Sequence, residues 1–235
     1  MTRPPLLLLH GALGAADQLQ PLAELLAPDF DVRVLEFPGH GRTAAPAGSF
    51  SMEGFQDAIA DRIRRDGLAP ARVFGYSMGG FAACRLALEA PDLFAGLATL
   101  GTLFRWDSVV AARESALLDV ATIQQKVPRF AARLAERHSA LGWETLITRT
   151  RELLGRLGQD GGIEPDAIAR LPMPLRILVG DRDESVDLLH SRLLALAAPR
   201  GALEVIPRAG HPLERVPLGH LARSLRDCFG AASER

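Results

Sequence analysis

The chain has 235 residues, of which 48% are hydrophobic, and its 27 basic and 28 acidic residues leave a formal net charge of −1. A chain of this length and composition can bury a sizeable core as one large domain or two small ones. Its charges are mixed along the sequence, without the basic block or stripe that binds nucleic acid or an anionic membrane. We therefore expect a globular protein whose partner is neither nucleic acid nor a membrane.

The cysteine content and the first residues favour a cytoplasmic protein. The two cysteines, Cys84 and Cys228, are too few for a disulfide framework and lack the spacing of metal ligands. The leucine run at residues 6–9 is shorter than the roughly 7–15 residues of a signal-peptide core, so we expect no signal peptide. Nowhere do about 18 apolar residues run together, as a membrane span would require.

Short apolar runs alternate with longer amphipathic stretches along most of the chain. The predicted strands cover residues 5–9, 31–37, 72–75, 94–101, 175–180 and 202–207. The predicted helices between and after them cover residues 18–27 (capped by Asp17), 52–65 (capped by Ser51), 78–90, 186–197 and 212–229. Apolar strands separated by helices indicate an α/β fold, with a parallel sheet covered on both faces.

The alternation breaks once, between the fourth and fifth predicted strands. Residues 102–173 contain no strand-like run, and helices are predicted there at 108–120, 128–137, 143–157 and 166–171. Long structured insertions are often lids or substrate-binding elements, and ligand sites cluster at the strand ends of parallel sheets. We expect a lid, and the alternative is a helical subdomain with a purely structural role.

The stretch Gly75-Tyr76-Ser77-Met78-Gly79 is the first candidate for chemistry. A GxSxG pattern alone is a weak signal, but this one lies where a predicted strand ends and a helix begins. At that junction Ser77 would stand on a tight turn, with its hydroxyl exposed above the sheet. The alternative is a flexible turn without chemistry.

A serine hydroxyl needs a base within reach, and the base needs an orienting acid. His211 lies in the loop after the last predicted strand and is the candidate base. The acid lies after the fifth strand, where we prefer Asp183 because it stands farther into the loop; Asp181 and, more distantly, Glu184 are alternatives. The order serine, acid, histidine, each after a strand, is the order that a nucleophile-elbow architecture requires.

An acyl-transfer site also needs donors for a developing oxyanion. The N–H of Met78, directly after the serine, is one candidate, and the N–H of Ala12 in the loop after the first strand is the other. His10, at the start of that loop, is expected to border the site.

At this point the chain resembles the α/β-hydrolase superfamily. The matching segments are LLLLHGALG, LEFPGHGRT, VFGYSMGGFAA, ILVGDRDESV and RAGHPLE. The resemblance implies a minimal six-stranded parallel sheet, a core of residues 1–101 and 174–235, and a helical cap at 102–173. A family pattern, GxxDxxV, falls on Gly180, Asp183 and Val186 and supports Asp183 as the acid.

The expected function is hydrolysis of an ester with a small or medium acyl group, through an acyl-enzyme and without cofactor or metal. A small-molecule ester is therefore the expected partner. Aromatic residues of the insertion are expected to line an apolar acyl pocket, with packing on the core as the alternative; they are Phe104, Trp106, Phe130 and Trp143.

The sequence is also compatible with two other functions. A lyase or C–C bond hydrolase with the same triad would need a cationic pocket for a carboxylated substrate, and the candidates for it are Arg42, Arg105 and Arg129. Menaquinone-pathway lyases that share GYSMGG usually continue with arginine, where this chain has Phe81, which disfavours that assignment. The second possibility is a non-catalytic ligand receptor on a hydrolase scaffold.

Overall fold

The computed structural model describes residues 3–230, so residues 1–2 and 231–235 of the predicted core lie outside the described part. The six strands are β1 (Pro5–Leu9), β2 (Asp31–Leu35), β3 (Ala71–Tyr76), β4 (Phe94–Leu100), β5 (Leu175–Gly180) and β6 (Gly201–Ile206). They form one sheet in the order β2-β1-β3-β4-β5-β6, and every neighbouring pair is parallel. This confirms the predicted six-stranded parallel sheet.

Ten α-helices are formed by the described residues. They are α1 (Gln20–Leu26), α2 (Met52–Arg65), α3 (Met78–Glu89), α4 (Ser108–Ala116), α5 (Val120–Lys126), α6 (Pro128–Arg137), α7 (Trp143–Asp160), α8 (Pro165–Ile168), α9 (Leu188–Ala197) and α10 (Leu218–Phe229). None of the helices in this part of the chain is long and apolar enough to cross a membrane.

The leucine run of β1 explains how the sheet is covered on both faces. Side chains of a strand alternate between faces, so Leu6 and Leu8 point one way while Leu7 and Leu9 point the other. All four are fully buried. The first pair packs in a core with residues of α1 and α10, and the second pair in a core with residues of α2, α3 and α9.

Helix boundaries depend on individual caps, and the predicted cap at Asp17 is wrong. Residues Ala16–Leu19 form a 3-10 turn, and α1 begins only afterwards without a side-chain cap. The Asp17 carboxylate instead lies 3.1 Å from the Arg137 guanidinium at the end of α6. The predicted cap at Ser51 is present, because its hydroxyl accepts a hydrogen bond from the Gly54 N–H at 3.0 Å.

Two predicted helices are interrupted for local reasons. The helix predicted at 108–120 ends early, because Asp119 caps a new helix, α5, by accepting a hydrogen bond from the Thr122 N–H. The helix predicted at 212–229 begins only at Leu218. Pro217 holds the preceding Val216 in an extended conformation, which separates a 3-10 turn at Leu213–Arg215 from α10.

Helices α4 to α8 all lie between β4 and β5 in the chain. Leu146, Leu153 and Leu157 of α7 are buried in the same hydrophobic cluster as the sheet. A smaller separate cluster joins α5, α6 and the start of α7, and Leu134 and Trp143 belong to it. The insertion therefore has a small core of its own and is also packed against the sheet.

Candidate active site

Ser77 occupies a strained turn between β3 and α3. Its backbone dihedrals are φ 52° and ψ −117°, in a region that residues with a side chain rarely adopt. The Ser77 N–H donates to the Leu100 carbonyl of β4 at 2.8 Å, and the Thr102 hydroxyl donates to the Ser77 carbonyl at 3.2 Å. Such conformations persist when surrounding bonds hold them, and they cluster at functional sites.

The glycines around Ser77 are required by close backbone packing. A Cβ on Gly75 would collide with the backbone nitrogen of Gly80, one turn into α3. A Cβ on Gly79 would lie 2.6 Å from the His10 carbonyl oxygen, so this glycine lets α3 approach β1. A Cβ on Gly11 would lie 3.1 Å from the Ser77 Cβ. The loop after β1 therefore packs directly beside the serine.

Ser77, His211 and Asp183 lie in one line of hydrogen bonds. Ser77 Oγ is 3.2 Å from His211 Nε2, and His211 Nδ1 is 2.9 Å from Asp183 Oδ2. An ionised carboxylate only accepts hydrogen bonds, so the imidazole donates from Nδ1 and presents the lone pair of Nε2 to the serine hydroxyl. An imidazole in that tautomer can accept a proton from a serine hydroxyl.

The three acids considered as partners of His211 in the loop after β5 have different surroundings. The Asp183 side chain is only 2% exposed, and its Oδ1 accepts a hydrogen bond from the Ser185 N–H at 3.0 Å. Asp181 Oδ1 accepts from the Ala209 N–H at 3.2 Å and ties this loop to the one that carries the histidine. Glu184 is exposed and lines a different groove. Only Asp183 is brought to the imidazole.

Both candidate oxyanion donors border the same cavity as Ser77. Met78 is the first residue of α3, and the N–H groups of a first helical turn have no acceptor within their helix. Among the described residues, the Ala12 N–H has no backbone or side-chain acceptor either. Two donors are thus available beside the serine, at the positive end of a helix.

Two residues that support the site, Tyr76 and Gly101, were not predicted from the sequence. The Tyr76 hydroxyl donates to the His211 carbonyl at 2.8 Å and holds the histidine loop against β3. Gly101 has φ 60°, and a Cβ there would lie 3.2 Å from Asp183 Oδ2 and 3.4 Å from His211 Nδ1. A glycine directly after a strand that neighbours the serine strand was the available signal, since parallel strands end at one edge of the sheet.

A cavity of about 280 Å³ opens beside Ser77 and His211. Its walls come from both the sheet and the insertion, and most of the side chains are apolar. The lining residues are Ala12, Leu13, Met52, Tyr76, Ser77, Met78, Phe81, Leu103, Trp106, Glu114, Leu117, Leu118, Thr150, Leu153, Leu154, Leu157, Ser185 and His211. Leucines of α7 and of the α4–α5 segment therefore form most of the wall that the insertion contributes.

Of the four predicted aromatic pocket residues, only Trp106 lines this cavity, where its ring meets Phe81 edge-on at 6.4 Å. Phe104 is buried in the main core, and Trp143 is buried in the small core of the insertion. Phe130 packs against that small core, beside Arg133. These three side chains pack in cores, and leucine and methionine supply most of the apolar lining of the cavity instead.

His10 lies at the start of the loop after β1 and is not among the residues that line the cavity. Its ring is fully buried, with Nδ1 2.8 Å from the Gly11 carbonyl and Nε2 accepting from the Phe37 N–H at 3.1 Å. Burial lowers the pKa of His10 to about 4, and the pKa values of His40 and His138 are also lowered by burial. These histidines are buried and neutral at pH 7, and His138 joins the insertion to the loop after β1 through the Leu13 carbonyl at 3.0 Å.

The cavity contains one charged side chain among its lining residues, the carboxylate of Glu114 on α4. None of the three arginines considered for a cationic pocket lines it. Arg42 borders a separate groove, and Arg105 lies 3.8 Å from Asp187 in another groove. Arg129 is exposed on α6.

Comparison with known proteins identifies the family. Residues 4–157 match the family described as having the alpha/beta hydrolase fold. A pimeloyl-[acyl-carrier protein] methyl ester esterase from Chromobacterium violaceum is 31% identical over 232 residues, which cover 88% of this chain and 87% of that protein. A 2-succinyl-6-hydroxy-2,4-cyclohexadiene-1-carboxylate synthase from Citrobacter koseri is 29% identical, with 90% of this chain and 88% of that protein covered.

Two further similarities are shorter or lower in sequence identity. An (E)-2-((N-methylformamido)methylene)succinate hydrolase from Acinetobacter baylyi is 29% identical over 121 residues, and the match covers 52% of this chain and 45% of that protein's length. The crystal structure of NosK from Streptomyces actuosus superposes with a TM-score of 0.80 at 23% identity and covers 99% of this chain and 100% of that one. The family match spans well over half of the chain and agrees with the observed sheet. The chain belongs to the α/β-hydrolase family.

Proposed function

We propose that this protein is a serine hydrolase that cleaves carboxylic esters of small or medium acyl groups. The observation that carries the proposal is the continuous pair of hydrogen bonds, 3.2 Å and 2.9 Å long, from Ser77 through His211 to Asp183. The strained backbone at Ser77 and the adjoining apolar cavity support the same assignment. The similarity to a methyl ester esterase agrees with it.

In the first half of the proposed reaction, Ser77 Oγ attacks the ester carbonyl carbon while its proton moves to His211 Nε2. The negative charge that develops on the carbonyl oxygen is stabilised by the N–H groups of Ala12 and Met78. The C–O bond to the alcohol then breaks, and His211 returns the proton to the leaving oxygen. The acyl group remains on Ser77, and Asp183 stabilises the transient imidazolium.

The second half repeats these steps with water. His211 takes a proton from the water, whose oxygen attacks the acyl carbon and forms a second tetrahedral intermediate at the same donors. The bond to Ser77 Oγ breaks, and the serine recovers its proton from His211. The acid leaves, and the chain's own residues supply every group that the cycle requires, without a cofactor or metal.

Residues 102–173 act in this proposal as the cap over the acyl group. Support comes from the apolar wall that α7 and the α4–α5 segment contribute to the cavity, with Leu117, Leu118 and Leu154 among its members. A cavity of about 280 Å³ suits an acyl chain of a few carbons better than a long lipid chain. Each buried methylene contributes about 0.8 kcal/mol, so preference should rise with chain length until the cavity is filled.

The test is steady-state hydrolysis of p-nitrophenyl acetate, butyrate, hexanoate, octanoate and dodecanoate. We expect kcat/KM to peak at an intermediate length and Ser77→Ala to lower kcat by roughly 10⁴-fold or more. Ser185→Ala is the matched control, because this serine also lines the cavity but its hydroxyl forms no hydrogen bond to a histidine within residues 3–230. Its backbone N–H, which bonds to Asp183, is retained in alanine. If purified wild-type protein turns over none of these esters, the proposal is wrong.

A lyase or C–C bond hydrolase with the same triad is the second candidate, and the Citrobacter koseri synthase relative favours it. The cavity lining argues against it, since it holds a carboxylate and no arginine or lysine for a carboxylated substrate. Turnover of such a substrate together with poor p-nitrophenyl ester hydrolysis would favour this candidate. Tight ligand binding with negligible turnover would instead indicate a receptor.

A further inference from the structure

Glu114 is the feature of the cavity that the proposed ester hydrolysis does not use. It lies on α4 with its side chain 17% exposed, among walls formed mainly by leucine and methionine. A carboxylate is rarely buried to this extent unless it has partners, because desolvation strongly disfavours its charge. Its presence in a mostly apolar cavity, with no arginine or lysine among the lining residues, therefore requires an explanation.

The neighbouring Arg113 contacts only one of the two oxygens of this carboxylate. Both Nε and Nη2 of Arg113 lie 2.9 Å from the same atom, Glu114 Oε1. Within residues 3–230, Oε2 has no hydrogen-bond donor of its own. Arg113 is 55% exposed and borders the adjacent groove, whereas Glu114 is among the residues that line the cavity.

We propose that Glu114 selects substrates by the charge at the end of the acyl chain. The pocket accepts esters whose chain ends in a neutral group or in a protonated amine, and it rejects chains that end in a carboxylate. The inference rests on the proposed ester-hydrolase function. An ammonium or hydroxyl at the end of the chain can donate to Oε2, and the low dielectric of an apolar cavity strengthens that attraction. The same surroundings strengthen the repulsion of an anionic chain end, and no arginine or lysine lines the cavity to pair with such a group.

Arg113 provides a second test, because its removal should change the charge preference in the opposite direction to removal of the Glu114 carboxylate. Its guanidinium partly neutralises Glu114 from the groove side, so removing it should make the pocket more hostile to an anion. Removing the carboxylate should act in the opposite direction. Two neighbouring residues on α4 thus predict opposite changes in one selectivity ratio.

The experiment compares p-nitrophenyl esters of hexanoic acid, 6-aminohexanoic acid and adipic acid (as the monoester), which share a six-carbon chain and differ in end charge. For wild-type protein we expect kcat/KM for the amino ester to exceed that for the adipate monoester by about 100-fold. Glu114→Gln should reduce this ratio by about tenfold or more, and Arg113→Gln should increase it. Glu152→Gln, which removes an exposed carboxylate of α7 that does not line the cavity, is the matched control and should leave it unchanged.

A binding measurement separates this inference from the proposed function. Calorimetric titration of Ser77→Ala with hexanamide, 6-aminohexanamide and adipamic acid reports the charge preference without turnover, and the order should match that of the esters. If hexanoate is hydrolysed in a Ser77-dependent way but Glu114→Gln leaves the ratio and the binding order unchanged, the inference fails and the ester-hydrolase function stands. If no ester is hydrolysed, the proposed function fails, and the binding order alone decides the role of Glu114.

Discussion

Asp183 and Asp181 stand two residues apart in one loop, and their hydrogen bonds differ in kind. Asp183 Oδ2 contacts the imidazole of His211, whereas Asp181 Oδ1 holds the backbone of Ala209. Position in the sequence favoured Asp183 without excluding its neighbour, because both follow β5. The choice is made by the path of the loop, in which the Asp183 N–H donates to the Gly180 carbonyl at 3.1 Å and turns the side chain inward.

This difference makes a prediction for two matched variants. Asp183→Asn should lower kcat by roughly four orders of magnitude, because an amide at this position favours the wrong imidazole tautomer. Asp181→Asn keeps an acceptor oxygen for the Ala209 N–H and should retain most of the activity. Steady-state kinetics with circular dichroism as a check on folding would test both. An equal loss of activity in the two variants would contradict the assignment of the acid.

At the scale of the elements, the sequence predicted the sheet and the order of the motifs but not the finer boundaries. Buried parallel strands read as continuous apolar runs, and β1 and β5 were predicted to the residue. The insertion was harder, because α5 begins at a cap, Asp119, that lies inside a continuous amphipathic pattern.

The pocket residues of the insertion were the least predictable part of the site. Aromatic residues were expected there from their type alone, and three of the four face other cores. Leu117, Leu154 and Glu114 line the cavity because of how α4 and α7 pack, and a single sequence carries no signal for that. The residues of the sheet edge were predictable because strand ends have a fixed geometric relation.

The tight turn at Ser77 requires that Gly75 carry no side chain, and a pair of glycine variants can measure how much this contributes to stability. Gly75→Ala introduces a Cβ that collides with the Gly80 nitrogen, so we expect a loss of about 1–3 kcal/mol in unfolding free energy together with reduced activity. Gly155→Ala, on an exposed turn of α7 with open space around it, should raise the unfolding free energy by about 0.5–1 kcal/mol. Urea unfolding of both variants gives the comparison, and a Gly75→Ala protein as stable as wild type would contradict the packing described.

At the scale of the whole molecule, three buried histidines link stability to pH. His10, His40 and His138 have pKa values lowered by burial, whereas the unfolded chain titrates near the ordinary value of 6.5. The unfolded state therefore binds more protons as pH falls through 6.5, so stability is present above that pH and is lost toward pH 4. His10 alone, with its pKa of about 4, should account for about 2 kcal/mol between pH 7 and pH 5.

Urea unfolding between pH 8 and pH 5 measures this effect, since carboxylates with ordinary or lowered pKa values contribute mainly below that range. We expect the free energy of unfolding to be nearly constant above pH 7 and to fall steadily below pH 6.5. A flat profile down to pH 5 would show that these histidines are not held neutral in the folded protein.

Active-site labelling is the sharpest test of Ser77 as a nucleophile activated by His211. The purified protein would be treated with a fluorophosphonate and digested, and the modified residue located by mass spectrometry. We predict a single adduct on Ser77 in the wild-type protein, none in Ser77→Ala, and much slower labelling in His211→Ala, because the hydroxyl is a weak nucleophile without its base. If the wild-type protein takes no label at Ser77, this serine is not the nucleophile.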